Sequence, residues 1–205
     1  MKNYSKKEAL EIIIKAAHAY EEKLNNKHFM IIYGHDKQTY SCVVGFRDMN
    51  FMHLTGVKSR LSAQQFYDAC LSGKLSERDF ELDRKGKVQQ KLAVLPYLSE
   101  LLYHNCMVGS FINNGVVIRA DYFVGDTRAV ISVGFRDGKT ADIPVTLYNE
   151  DVRKLTMPTY KVLAIFRKSY KTGRYEESTY LSAKCDLSML PDSIKLTLSE
   201  EMIVT

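Results

Sequence analysis

Apolar residues recur at helical spacing from the start of the chain. Leu10, Ile13, Ile14, Ala17 and Leu24 share one face, behind a Ser5–Glu8 capping-box signature. The pattern then shortens to strand period, predicting strands over His28–Tyr33 and Thr39–Phe46 around Gly34-His35-Asp36-Lys37. Ser62 with Gln65 opens a second helix through Leu71, which Gly73 closes, and Ser76 caps a short turn. A longer helical block covers Lys87–Asn105, with Val88, Leu92, Leu95 and Leu102 as its stripe. Pro96 cannot donate its amide and clashes with the preceding turn, so this block is expected to kink or split there.

From Met107 onward the periodicity is that of strands. Val116, Ile118, Ala120 and Tyr122 alternate with Arg119 and Asp121 over Val116–Phe123. Asp126-Thr127 leads a strand to Phe135, and Asp137-Gly138 reads as a hairpin turn into Thr140–Ile143. Tyr148–Leu155 reads as a short helix, and the apolar run within Lys161–Ser169 as a central strand. Lys171-Thr172-Gly173 turns that strand into Tyr175–Leu181, and the tail after Asp186 carries no decisive pattern. Helices first and then an antiparallel meander predict an α+β fold, with N-terminal helices packed on an antiparallel β-sheet. One domain over 1–205 is expected, in which residues 1–50 could form a helix-plus-hairpin appendage.

Composition narrows the class without naming a function. The 205 residues are 45% hydrophobic and 26% charged, ordinary for a folded soluble domain. No apolar run approaches a membrane span, and Met1–Lys7 lacks a signal-peptide core, so a cytoplasmic protein without membrane contact is expected. Cys42, Cys70, Cys106 and Cys185 match no metal-ligand spacing, and nothing completes a set around His104 and Cys106. Neither a metal nor another cofactor is expected.

The net charge of +5 decides little, but its distribution is uneven. Arg153, Lys154, Lys161, Arg167, Lys168, Lys171 and Arg174 fall in a stretch with no Asp or Glu, interleaved with Tyr160, Phe166 and Tyr170. That is a footprint for a polyanion. Arg167 and Lys168 end one strand of the hairpin, while Tyr175, Glu177 and Thr179 share a face of the other. Cations and hydroxyls at the end of a twisted sheet suit a phosphodiester, although sheet edges also carry charge for solubility.

The heptapeptide Phe51-Met52-His53-Leu54-Thr55-Gly56-Val57 sets one imidazole and one hydroxyl among apolar residues. It is followed by the basic Lys58-Ser59-Arg60. Its bland reading is a structural histidine at a strand end. Its chemical reading is a proton-transfer group active near neutral pH. Cleaving RNA without a metal requires a base for the 2′-hydroxyl, an acid for the 5′-oxygen and cations for the phosphorane. The chain holds that inventory, and it has no P-loop, GxGxxG, GxSxG or HExxH motif.

With Ser62-Ala63, Phe66-Tyr67, Lys91-Leu92-Ala93-Val94-Leu95-Pro96, Asp121…Gly125, Ile143-Pro144, Thr146-Leu147, Asp151-Val152-Arg153, Ile165-Phe166-Arg167-Lys168 and Tyr175-Glu176, the heptapeptide resembles a phage-associated nuclease-like domain. That domain is assigned to the barnase–EndoU–colicin–RelE-like superfamily. The resemblance runs from about His28 to Leu181. It implies a barnase/RelE-like meander and a metal-independent endoribonuclease of phage or mobile-element origin, acting in the host cytoplasm. Carried over by position, it brings His53, Lys168, Tyr175 and Lys91 into one cleft.

On this reading His53 is the general base or acid and Tyr175 or Thr179 a hydroxyl partner. Lys168 and Arg167 clamp phosphate. Lys58, Arg60, Lys91, Lys161, Lys171 and Arg174 extend the nucleic-acid surface. RNA is the expected partner, with a host protein or cognate inhibitor as a further one. Two other readings stand beside it. One is a non-enzymatic phage accessory protein that binds nucleic acid or a host protein. The other is an ADP-ribosyltransferase-like enzyme, with His53 and Thr55 on a first strand holding nicotinamide dinucleotide and Glu176 catalytic.

Overall fold

The computed structural model describes residues 3–35, 38–83, 86–112, 120–128 and 130–203. Helix α1 (Lys6–Lys23) begins at Ser5, whose hydroxyl accepts from the Glu8 amide while the Glu8 carboxylate accepts from the Ser5 amide. The hairpin β1 (Lys27–His35) and β2 (Gln38–Phe46) follows. Then come α2 (Asp48–Thr55), the two-residue strand β3 (Lys58–Ser59), α3 (Ala63–Leu71) and β4 (Phe80–Glu81), which pairs with β3. Helix α4 (Lys87–Val94) gives way at Pro96 to a 3₁₀ helix, Leu95–Tyr103, so the long helical block is split as its sequence implies.

Strands β5 (Met107–Phe111), β6 (Tyr122–Asp126), β7 (Ile131–Arg136) and β8 (Ile143–Tyr148) form the meander. Helix α5 (Val152–Leu155), the 14-residue β9 (Thr156–Ser169) and β10 (Glu177–Leu181) complete the sheet. A 3₁₀ turn (Leu187–Met189), α6 (Asp192–Lys195) and α7 (Glu200–Ile203) end the described chain. Among the described residues no helix is long and apolar enough to cross a membrane.

The sheet order is β2-β1-β9-β5-β6-β7-β8, antiparallel throughout, with β10 also on β9. This is the α+β architecture expected. β1 lies between β2 and β9, so it is built into the sheet. The sheet curls until its ends meet: the Gly45 amide donates to the Asp142 carbonyl (2.9 Å) and the Asp142 amide to the Val43 carbonyl (2.7 Å).

One face of the curl packs on the helices through Phe29, Ile31, Val44, Phe46, Val133 and Phe135. On the other face Met30, Ile32, Ala164 and Phe166 are covered by Leu190, Ile194 and Leu198 of the C-terminal segment. Phe46 is central to the first layer, edge-on to Tyr20, Phe29 and Phe135 at 6.0, 5.9 and 5.9 Å between centroids. Phe46→Ala is expected to lower stability by about 3–5 kcal/mol, the cost of a large cavity in a packed core, measurable by urea unfolding.

Several expectations need correction. The heptapeptide is helical: residues Asp48–Thr55 form α2, which Gly56 ends in the left-handed region (φ 76°). Phe51 and Leu54 are buried, and the Thr55 hydroxyl donates to the Met52 carbonyl (2.7 Å). The returning strand of the β7 hairpin starts at Ile143, not Thr140, because 139–142 are held by Asp142 against β2. The Tyr148–Leu155 helix shrinks to α5, and β9 starts five residues earlier than its apolar run. Within Val116–Phe123, positions 116–119 lie outside the described residues.

Candidate active site

Three sheet positions lie in one row at the start of β1. His28 pairs with Gly45 of β2 on one side and with Lys168 of β9 on the other. Alternation puts His28 on the same face as Met30 and Ile32, just past the part of that face covered by the C-terminal segment. Its ring is nearly enclosed, at 9% exposure. Tyr170, tied by its amide to the Asn26 carbonyl (3.1 Å), packs against it with centroids 4.0 Å apart and ring planes tilted by 49°. The Arg47 guanidinium lies 4.9 Å from the Tyr170 centroid. Arg47 precedes α2, and its amide donates to the Asn50 side chain (2.9 Å).

Residues 139–141 and Ile143 supply the opposite wall, and Asp142 fixes it from behind. Its carboxylate accepts from the Tyr122 hydroxyl (2.7 Å) and the Gly138 amide (3.2 Å). With the backbone bonds to β2, this holds Lys139, Thr140 and Ala141 over the row. The result is an open cleft of about 270 Å³, lined by His28, Arg47, Asn50, Lys139, Thr140 and Tyr170 together with Gly45, Met49, Ala141 and Ile143. It contains an imidazole, two cations and three neutral polar side chains, with no carboxylate among its described residues. Nor do any three His, Cys, Asp or Glu residues gather as a metal-ligand set among the described residues.

Burial holds His28 below the ordinary histidine value, and the charges of Lys168 and then Arg47 push the same way. Neither ring nitrogen has a hydrogen-bond partner among the described residues, so a neutral imidazole faces the cleft free to accept a proton. Lys168→Met removes a cation that disfavours the protonated ring, so it raises this pKa. The His28 imidazole resonances are expected to titrate at higher pH in that variant by NMR.

The residues singled out from sequence separate into groups. Lys168 neighbours His28, with its ammonium on the Gly173 carbonyl (3.1 Å) and 4.9 Å from the Tyr175 ring centroid. Tyr175 itself is buried under Leu190, Ile194 and Leu198, and its hydroxyl is pushed up to about 12 by burial. The Thr179 hydroxyl donates to the Leu102 carbonyl (2.6 Å). Arg167 points to the helical side, bound to the Tyr103 hydroxyl (2.8 Å) and ion-paired with Glu177.

Lys171 is exposed in the turn after Tyr170, and Arg174 pairs with Glu200 (3.4 Å). Lys161 sits opposite Gly34, roughly 20 Å along the strand from His28 at about 3.3 Å per residue. Lys58 and Arg60 line a separate shallow cleft with Arg78, Asp79 and Glu81.

His53 is exposed on α2, one turn beyond Met49 and Asn50. The Lys91 ammonium crosses Gly56 to donate to the His53 carbonyl (3.1 Å), a cation at a helix C-terminus. His53 and Lys91 are thus neighbours, while Tyr175 and Thr179 stay with the core. The dinucleotide reading loses its geometry, since His53 and Thr55 are helical and Glu176 is exposed beyond β9.

Sequence reasoning passed over His28, Arg47 and Lys139, and marked Tyr170 only as an aromatic of the basic stretch. The available signal was basic–aromatic: Arg47 follows β2, and Tyr170 follows Arg167-Lys168.

A curled antiparallel sheet backed by helices, with a cation-lined cleft at its rim, defines an α+β domain. The chain belongs to the phage-Barnase-EndoU-ColicinE5/D-RelE like nuclease4 family, whose model matches residues 12–184. The match runs from within α1 to just past β10, so it contains the whole cleft. The resemblance seen in the heptapeptide and its companion motifs is borne out. Comparisons with curated proteins and with solved structures found no match.

Proposed function

We propose that the protein is a metal-independent endoribonuclease acting on host or phage RNA, with His28 as its general base. The observation that carries this reading is the cleft itself: a largely buried, cation-flanked imidazole on Tyr170, with Arg47 and Lys139 on the rim and no carboxylate. Such a lining attracts a phosphodiester and repels a divalent cation.

In the proposed step, neutral His28 takes the proton of a ribose 2′-hydroxyl. The resulting oxygen attacks the adjacent phosphorus, and the bond to the 5′-oxygen breaks. Arg47 and Lys139 offset the charge that develops on the phosphoryl oxygens. The Tyr170 hydroxyl hydrogen-bonds to that group, and water or Tyr170 returns a proton to the leaving oxygen. The products are a 2′,3′-cyclic phosphate and a free 5′-hydroxyl.

Incubation of the purified protein with an RNA oligonucleotide and its all-2′-deoxy counterpart, each with and without a chelator, tests this. Cleavage of RNA alone, unaffected by chelator and leaving a cyclic phosphate, is expected. Equal cleavage of the deoxy strand, or loss of activity with chelator, would overturn it.

A further inference from the structure

Met49 and His53 are four residues apart on α2, so they stand on one face of the helix. Met49 lines the cleft and is 57% exposed, as is Ile143 across from it at 37%. Two exposed apolar side chains flanking a polar cleft mark a place for something flat and apolar beside the phosphate. One turn along, about 6 Å further, stands the exposed His53 ring. Beyond it stands α4, whose Lys87 and Lys91 share a face, with Lys91 reaching the His53 carbonyl (3.1 Å).

The exposed surface along α2 and the start of β8 therefore runs from the cations of the cleft, past Met49, Ile143 and His53, to Lys91 and Lys87. The carboxylate of Asp48, the acidic residue of α2, accepts from the Met49 amide (2.6 Å).

Resting on the ribonuclease reading, we infer that this surface is a second nucleotide subsite for single-stranded RNA. The base next to the scissile phosphate packs between Met49 and Ile143, the following base stacks on His53, and its phosphate meets Lys91. Charge complementarity and continuity with the cleft select the occupant. A step of about 6 Å between stations is on the scale of one nucleotide in an extended strand. His53 then binds substrate and takes no part in proton transfer.

The test uses 2′-fluoro oligonucleotides two and four nucleotides long, which lack the attacking hydroxyl, so it needs no turnover. Affinities are read by NMR titration. In the wild type the longer strand is expected to bind about tenfold tighter, the size of one base stack with a screened phosphate contact. His53→Ala should remove most of that gain and His53→Phe should restore it. Lys91→Gln keeps a donor for the His53 carbonyl but no charge, and should remove part of the gain while leaving α2 capped.

An undiminished length gain in His53→Ala and Lys91→Gln would overturn the subsite. The parent reading fails differently: Arg47→Ala would leave the dinucleotide affinity unchanged. Thermal melts of each variant against wild type check that folding is retained, and His53→Phe rescue separates stacking from helix integrity.

Discussion

Replacing His28 by alanine is expected to slow single-turnover RNA cleavage by about 10²–10⁴-fold, the usual worth of a positioned general base. Three features support His28 as the proposed base. Its pKa is held below the ordinary value, so it is unprotonated when the reaction begins. It lies beside the cations that a phosphorane requires. Its ring nitrogens have no hydrogen-bond partner among the described residues. The base limb of the pH–rate profile should accordingly fall below the ordinary histidine value, with activity lost as pH drops through it.

The same depression affects stability. The unfolded chain binds the His28 proton more readily than the native state, so stability is lost as pH falls through the ordinary histidine value. Because His28 packs against Tyr170, alanine could also loosen the cleft. Exogenous imidazole therefore serves as the deciding readout: it should restore part of the rate of His28→Ala. Retention of full activity in His28→Ala, with loss in His53→Ala, would return catalysis to the α2 histidine.

What could be read from the sequence was local. The Ser5–Glu8 and Ser62–Gln65 caps are bonds between residues three apart, and both form as read. Pro96 splits its helix for an equally local reason. Helix α2 was harder. Its N-cap, Arg47, has no side-chain acceptor, and the reach-back comes from Asn50. Eight residues give too few turns for a periodic stripe to outweigh a glycine that can end a strand or a helix. His53 was therefore placed on the wrong element even though its segment identified the family.

The cleft was illegible for a different reason. His28, Arg47, Lys139 and Tyr170 come from four separate segments. Only the pairing of His28 with Gly45 and Lys168, and the closure of β2 on Asp142, bring them together. Long-range register of that kind leaves no mark in neighbouring residues. Lys168 was legible because it belonged to a basic cluster. Tyr175 and Thr179 shared that cluster in sequence, but a C-terminal segment without a clear pattern covers one, and a core carbonyl takes the hydroxyl of the other.

Gly45→Ala is expected to lower kcat/KM by about 10²-fold or more while leaving the fold intact. A methyl at position 45 would stand 2.6 Å from the Tyr170 hydroxyl, 2.9 Å from His28 Cδ2 and 3.1 Å from the Ala141 Cβ. All three are closer than ordinary van der Waals contact, and each belongs to the cleft. None is backbone. Tyr170 follows β9, so its ring can swing aside without breaking the ladder between β1 and β2. The cost therefore falls on the site: the contact of Tyr170 with His28 opens, Arg47 loses its aromatic platform, and the wall carrying Lys139 is pushed outward. Displacements of about 1 Å in a reacting constellation are worth that much in rate. Circular dichroism and the thermal midpoint should stay near wild type while cleavage and the Tyr170–His28 ring-current shifts change together. Wild-type activity in Gly45→Ala would show that Tyr170 and His28 need not touch for the reaction to proceed, and the base would have to be sought elsewhere on the surface.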